Sequence, residues 1–154
     1  MSKSQIICVV DDEPAIRETL KNVLTDEGYP VMSCEGSECF YQELEQQTPA
    51  LVLLDIWLPG TDGMAVLSRL RETHPDLPVI MMSGHAGIDA AVNAIKLGAV
   101  DLMEKPLQLE ILLNKIAIVL SNKPPEKIKD LASDTRMEVA KIINPNVPSG
   151  AVQL

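Results

Sequence analysis

The chain has 154 residues with 22 Asp and Glu against 13 Lys and Arg, a formal charge of −9, enough for one domain of ordinary size and a spare piece. Eighteen of the acidic residues and only eight of the basic ones fall in 1–122, and so acidic a body argues against direct nucleic-acid binding, which needs a basic face. No apolar run approaches the roughly 18 residues that cross a bilayer, which predicts a chain with no membrane span. Cys8, Cys34 and Cys39 are odd in number, without C-x-x-C spacing or a leader pattern ahead of them, which predicts a reducing, cytoplasmic setting with Cys8 as a small core residue.

Residues 5–10 read as a β-branched strand, and Pro14 suits the first turn of a helix carrying Ile16, Leu20, Val23 and Leu24 up to Gly28. A short strand near Val31–Ser33, a helix near Ser37–Gln47 and the apolar strand 51–55 follow. Pro59-Gly60 and Asp62-Gly63 mark a loop, then come a helix on Met64, Val66, Leu67 and Leu70, and a strand at Val79–Met82. Ile88–Leu97 reads as a helix closed by Gly98, Val100–Met103 as a fifth strand, and Leu107–Ser121 as the last helix. Five βα units in a row predict an α/β fold, a flavodoxin-like doubly wound five-stranded parallel sheet of order 2-1-3-4-5 with helices on both faces. Pro124-Pro125 sets a predicted boundary: a domain over 1–121, then a linker or marginal helix and a disordered tail over 122–154.

The chemistry gathers at the strand ends. Asp11 and Asp12 close the first apolar run and Asp55 the third, so parallel strands bring three carboxylates to the edge where open α/β sheets bind ligands. Crowded anions need a cation; Lys105 follows the fifth strand, and a divalent metal with oxygen ligands best balances the remainder. An acidic pair alone is more often a solvated loop, but combined with Asp55 and Lys105 it reads as a site. Ser83, at the end of the fourth strand, reads as part of that site and also as a helix N-cap, two compatible roles. His74 and His85 lack metal-ligand spacing and read as structural.

The segments Val9-Val10-Asp11-Asp12-Glu13, Leu54-Asp55-Ile56-Trp57-Leu58-Pro59-Gly60-Thr61-Asp62-Gly63, Met82-Ser83-Gly84 and Glu104-Lys105-Pro106 resemble, in order and placement, the receiver domain of two-component response regulators. The resemblance covers residues 5 to 121. It implies that Asp55 accepts a phosphoryl group from a sensor histidine kinase in a Mg²⁺-dependent reaction. Asp12, Asp55 and the Trp57 backbone carbonyl would hold the metal directly and Asp11 through a water. It further implies that Lys105 pairs with Asp55 and then with the phosphoryl group, that Ser83 is the switch hydroxyl, and that Pro106 follows a cis peptide bond. On this reading Gly63 and Gly84 supply backbone freedom. One position departs from the family: Leu102 stands where most members carry the Tyr or Phe of the switch.

The stretch from Ser83 to Ala99 looks like receivers of sigma-54-dependent transcriptional activators of the nitrogen-regulation class. Those carry an ATPase domain and a DNA-binding helix-turn-helix, for which these residues hold no pattern. The chain therefore reads as an excised receiver with linker or as a short regulator working through a partner protein. The expected function is a signalling switch rather than a metabolic enzyme; the alternative is a pseudo-receiver acting as a constitutive interaction module. A haloacid-type phosphatase would want an aspartate two residues after Asp55, where Trp57 stands. Finally, Leu109, Ile111, Leu113, Ala117 and Ile118 make the last helix apolar nearly all round, which predicts a homodimer through it and its neighbours, with 126–143 folding back over it as the competing possibility.

Overall fold

A computed structural model describes residues 5–85 and 87–121. The predicted marginal helix and tail at 122–154 lie outside the described residues. The elements run β1 (Ile7–Val10), α1 (Pro14–Asp26), β2 (Val31–Cys34), α2 (Ser37–Gln46), β3 (Leu51–Asp55), β4 (Trp57–Leu58), β5 (Thr61–Asp62), α3 (Gly63–Thr73), β6 (Val79–Ser83), α4 (Ile88–Lys96), β7 (Asp101–Glu104) and α5 (Leu109–Ser121). The main sheet is all parallel in the order β2-β1-β3-β6-β7. With the two-residue strands set aside this is the predicted 2-1-3-4-5.

Every residue of β1, β3 and β6 is buried, as expected of central strands covered on both faces. Alternate residues feed two cores. Cys8, Val10, Val52, Leu54, Val79 and Met81 pack with Phe40 of α2, Val66, Leu67 and Leu70 of α3 and Ala94 of α4. Ile7, Val9, Leu51, Leu53, Ile80 and Met82 pack with Leu20 and Leu24 of α1 and Leu112, Ile116 and Leu120 of α5. Truncating one of these fully buried residues, such as Leu53→Ala, costs about 2–5 kcal/mol.

Local chemistry sets the helix ends. Pro14 opens α1, whose φ suits the first turn. Gly28 and Gly98 take φ of 95° and 106° just past α1 and α4, a backbone region that favours glycine. Asp62 caps α3 by accepting from Met64 N at 2.9 Å. Among the described residues no helix is long and apolar enough to cross a membrane.

Four local expectations are corrected. The loop after β3 contains a tight antiparallel pair, Trp57 opposite Asp62 and Leu58 opposite Thr61, turning at Gly60 with φ 70°. The fifth strand of the sheet starts at Asp101 and the last helix at Leu109. Gly63 and Gly84 have no positive φ. Gly63 is instead required by close approach, since a Cβ there would fall 2.7 Å from Ile56 Cα and still nearer the Asp55 carbonyl oxygen; around Gly84 there is open space. The last helix is less apolar outside than predicted, because Leu109 and Leu113 are half-buried against the second core, leaving Ile111 and Ile118 as its large exposed apolar residues.

Candidate functional site

Register explains why distant residues meet. Val10 lies opposite Leu54, Asp55 opposite Met82, and Ser83 opposite Glu104, so Asp11, Asp55, Ser83 and Lys105 all leave their strands at one edge. Backbone bonds extend the ladders past the strand ends: Asp11 N donates to Cys34 O at 3.1 Å, Ile56 N to Met82 O at 2.9 Å and Lys105 N to Ser83 O at 2.7 Å. The Lys105–Pro106 peptide is cis. Asp12, Glu13, Ile16, Asp55, Trp57, Gly84, Lys105 and Pro106 line the resulting cleft.

Asp55 is buried. Its Oδ1 accepts from Trp57 N at 3.1 Å and its Oδ2 from Lys105 Nζ at 3.2 Å. Burial pushes its carboxyl above the ordinary carboxylate range, and the Asp11 charge adds to this against the opposing pull of the Trp57 N–H and Lys105. Asp11 is wholly buried; its Oδ1 accepts from Glu13 N at 2.9 Å, and its carbonyl accepts from Arg17 Nη1 at 2.8 Å. Asp11 Oδ2 meets Lys105 Nζ at 2.8 Å as an ion pair without well-directed hydrogen-bond geometry. Lys105 reaches a third carboxylate as well, Glu13 Oε1 at 3.1 Å. Burial alone would lower the lysine's affinity for its proton, but Asp11 and Glu13 outweigh it and raise the pKa above the usual lysine value.

Oxygens of Asp11, Asp12 and Asp55 lie within 4.8 Å of one another. Four carboxylates, counting Glu13, stand against the Lys105 ammonium. That excess of negative charge, the hard oxygen donors and the poorly satisfied Asp11 Oδ2 fit a small divalent cation.

The predicted site residues thus divide. Asp11, Asp12, Asp55 and Lys105 come together; Pro106 and Trp57 line the cleft, Trp57 with its ring exposed. Ser83 is wholly buried at the end of β6 with its Oγ accepting from His85 N at 3.1 Å. It does not cap α4, whose N-cap is Gly87. Leu102 lies half-buried against the first core. Sequence reasoning missed two contributors, Glu13 and Arg17, and named Gly63 for backbone freedom rather than for its close approach to Asp55 and Ile56. The acidic residue directly after the Asp11-Asp12 pair was the one available signal for Glu13.

Residues 7–117 match the response regulator receiver domain family, and the chain belongs to it. The family is a signalling switch of two-component systems, and among its members the receivers of nitrogen regulators are similar to this chain. The nitrogen assimilation regulatory protein NtrX of Azorhizobium caulinodans is 41% identical over 109 residues, 70% of this chain and 24% of that protein. The DNA-binding transcriptional regulator NtrC of Escherichia coli is 39% identical over 105 residues, 68% of this chain and 22% of that protein. The chain thus spans about a quarter of the length of these relatives. The solution structure of the beryllofluoride-activated NtrC4 receiver domain dimer superimposes with a TM-score of 0.74 at 32% identity, covering 78% of this chain and 99% of that one.

Proposed function

We propose that this receiver accepts a phosphoryl group on Asp55 from the phosphohistidine of a sensor histidine kinase. The observation that carries the reading is the convergence of Asp11, Asp12 and Asp55 on Lys105 at one sheet edge. A carboxylate oxygen of Asp55 attacks phosphorus, the P–O bond forming as the P–N bond breaks and the imidazole keeping the electron pair. An ionised carboxylate needs no base.

Asp12, Asp55 and the Trp57 carbonyl would hold Mg²⁺ directly and Asp11 through a water. When bound, the ion supplies charge neutralisation and orientation for phosphoryl oxygens. Lys105, already held by Asp55 and Asp11, re-pairs its ammonium with a phosphoryl oxygen once the group is in place. Ser83 exchanges its bond to His85 N for the phosphoryl group and draws the following loop inward, shifting a pre-existing equilibrium. With Leu102 in place of an aromatic ring, the response runs through this loop and α4.

The receiver domain spans 1–121, with 122–154 as linker and tail. It acts as a homodimer in a transcriptional output, without itself binding nucleic acid. Ile88, Val92 and Ile95 of α4 and Ile111 and Ile118 of α5 are exposed and supply the apolar surface for the contact, and the likeness to an NtrC4 receiver solved as a dimer supports dimerisation itself.

The test is the intact mass after incubation with acetyl phosphate and Mg²⁺. Gain of one phosphoryl group by the wild-type chain, and none with Asp55→Asn or chelator, is expected. Lys105→Ala is expected to take the label without the conformational response. Equal labelling of Asp55→Asn at the same peptide would refute the assignment, and a chain labelled by neither acetyl phosphate nor a kinase would favour the constitutive interaction module.

A further inference from the structure

Glu13 stands at the N-cap of α1, yet its side chain makes no capping bond. It reaches instead to Lys105 Nζ, 92 residues along the chain, at 3.1 Å. Its backbone is fixed on both sides, the N–H donating to Asp11 Oδ1 at 2.9 Å and the carbonyl accepting from Arg17 N at 3.1 Å. Its carboxylate is not among the three whose oxygens cluster within 4.8 Å, so its route into the site runs through the lysine. The side chain is 58% exposed, whereas that of Lys105 is 14% exposed; Glu13 is therefore the partner that can leave without burying a charge.

We infer that Glu13 is a positioning residue that holds Lys105 back in the unphosphorylated chain. The inference rests on Asp55 being the phosphoacceptor. Before transfer the ammonium is shared among Asp11, Glu13 and Asp55, and an incoming phosphoryl dianion must draw it away from Glu13. Glu13 thus sets how readily the site accepts a dianion, independently of metal binding.

The test is the initial rate of labelling by acetyl phosphate at saturating Mg²⁺ in the full chain. Glu13→Gln is expected to be faster by about two- to fivefold, the range an exposed ion pair supports. Glu13→Asp keeps the charge but is one methylene shorter and better suited to cap α1, so it is expected to match the Gln variant. In a Lys105→Ala background the gain from Glu13→Gln is expected to vanish, as a pairwise coupling requires. A Glu13→Asp rate equal to wild type, a Glu13→Gln rate unchanged or lower, or a gain that persists without the lysine would each overturn the role of Glu13. Equal labelling of wild type and Asp55→Asn would instead overturn the phosphoacceptor reading beneath it.

Discussion

The Lys105 ammonium lies nearer to Asp11, at 2.8 Å, than to Asp55, at 3.2 Å. One half-buried cation is divided among three carboxylates, so none is fully compensated. That incomplete compensation is the electrostatic basis of the site: the charge that remains attracts a divalent ion, while burial first, and the Asp11 charge after it, keep Asp55 harder to ionise than a surface aspartate.

Asp55→Asn is therefore expected to stabilise the metal-free chain. Burial raises the folded-state pKa of Asp55 above its unfolded value, so the ionised form costs stability at neutral pH. This cost is absent below the unfolded pKa and complete above the folded one. In chelator and low salt, the variant is expected to melt about 3–5 °C higher at neutral pH, roughly 1 kcal/mol for a domain of this size. The gap should close as pH falls through the raised pKa. A gap that is constant with pH, or of opposite sign, would show that Lys105 compensates Asp55 in full.

Mg²⁺ is expected to reverse the order. A ligand that binds the folded chain alone stabilises it by about 2.7 kcal/mol at a hundredfold excess over Kd; Asp55→Asn neutralises one of the three clustered carboxylates and should lose most of this. Trp57 is the chain's single tryptophan, is joined through its N–H to Asp55 Oδ1 and lines the cleft. Its fluorescence should follow the titration in the wild type, and no Mg²⁺-dependent change in fluorescence or melting would remove the metal from the site.

Gly63 supports Asp55 from behind. Its N–H donates to Ile56 O at 2.7 Å, and an added Cβ meets backbone atoms that cannot rotate away. Gly63→Ala gains up to about 1 kcal/mol in helix propensity, but displacing that backbone costs about 2–4 kcal/mol, so the variant is expected to be destabilised overall. Urea unfolding of Gly63→Ala beside Gly84→Ala, which faces open space, measures the difference. The labelling rate of Gly63→Ala should fall too, as Asp55 shifts.

The strands were legible because β1, β3 and β6 are buried on both faces and so read as unbroken apolar runs ending in polar residues. The acidic cluster was legible for the same reason, since parallel strands carry their ends to one edge. The β4–β5 pair was not, because two-residue strands have no period and this one depends on the approach of Gly63 to the Asp55 backbone. Nor was the Glu13–Lys105 pair, which joins residues 92 apart through the fold alone. The outer face of α5 was overread: periodicity places Leu109 and Leu113 away from the central stripe, but the second core reaches round to cover part of each.

That narrower face sharpens the assembly prediction. Ile88, Val92 and Ile95 follow one another at helical spacing on α4, and Ile111 and Ile118 lie two turns apart on α5. Between them Asp101 and Lys115 form an ion pair at 2.5 Å across the β7–α5 junction. Val92→Asp and Ile118→Asp each place a charge on exposed apolar surface, leaving the buried residues untouched, so the fold should keep its melting temperature within a few degrees. In a self-complementary interface each substitution is repeated in both copies and sets the new charges near each other. Sedimentation of the beryllofluoride-treated chain should show dimers for wild type and monomers for both variants. Dimers that survive both charges would move the interface away from α4 and α5.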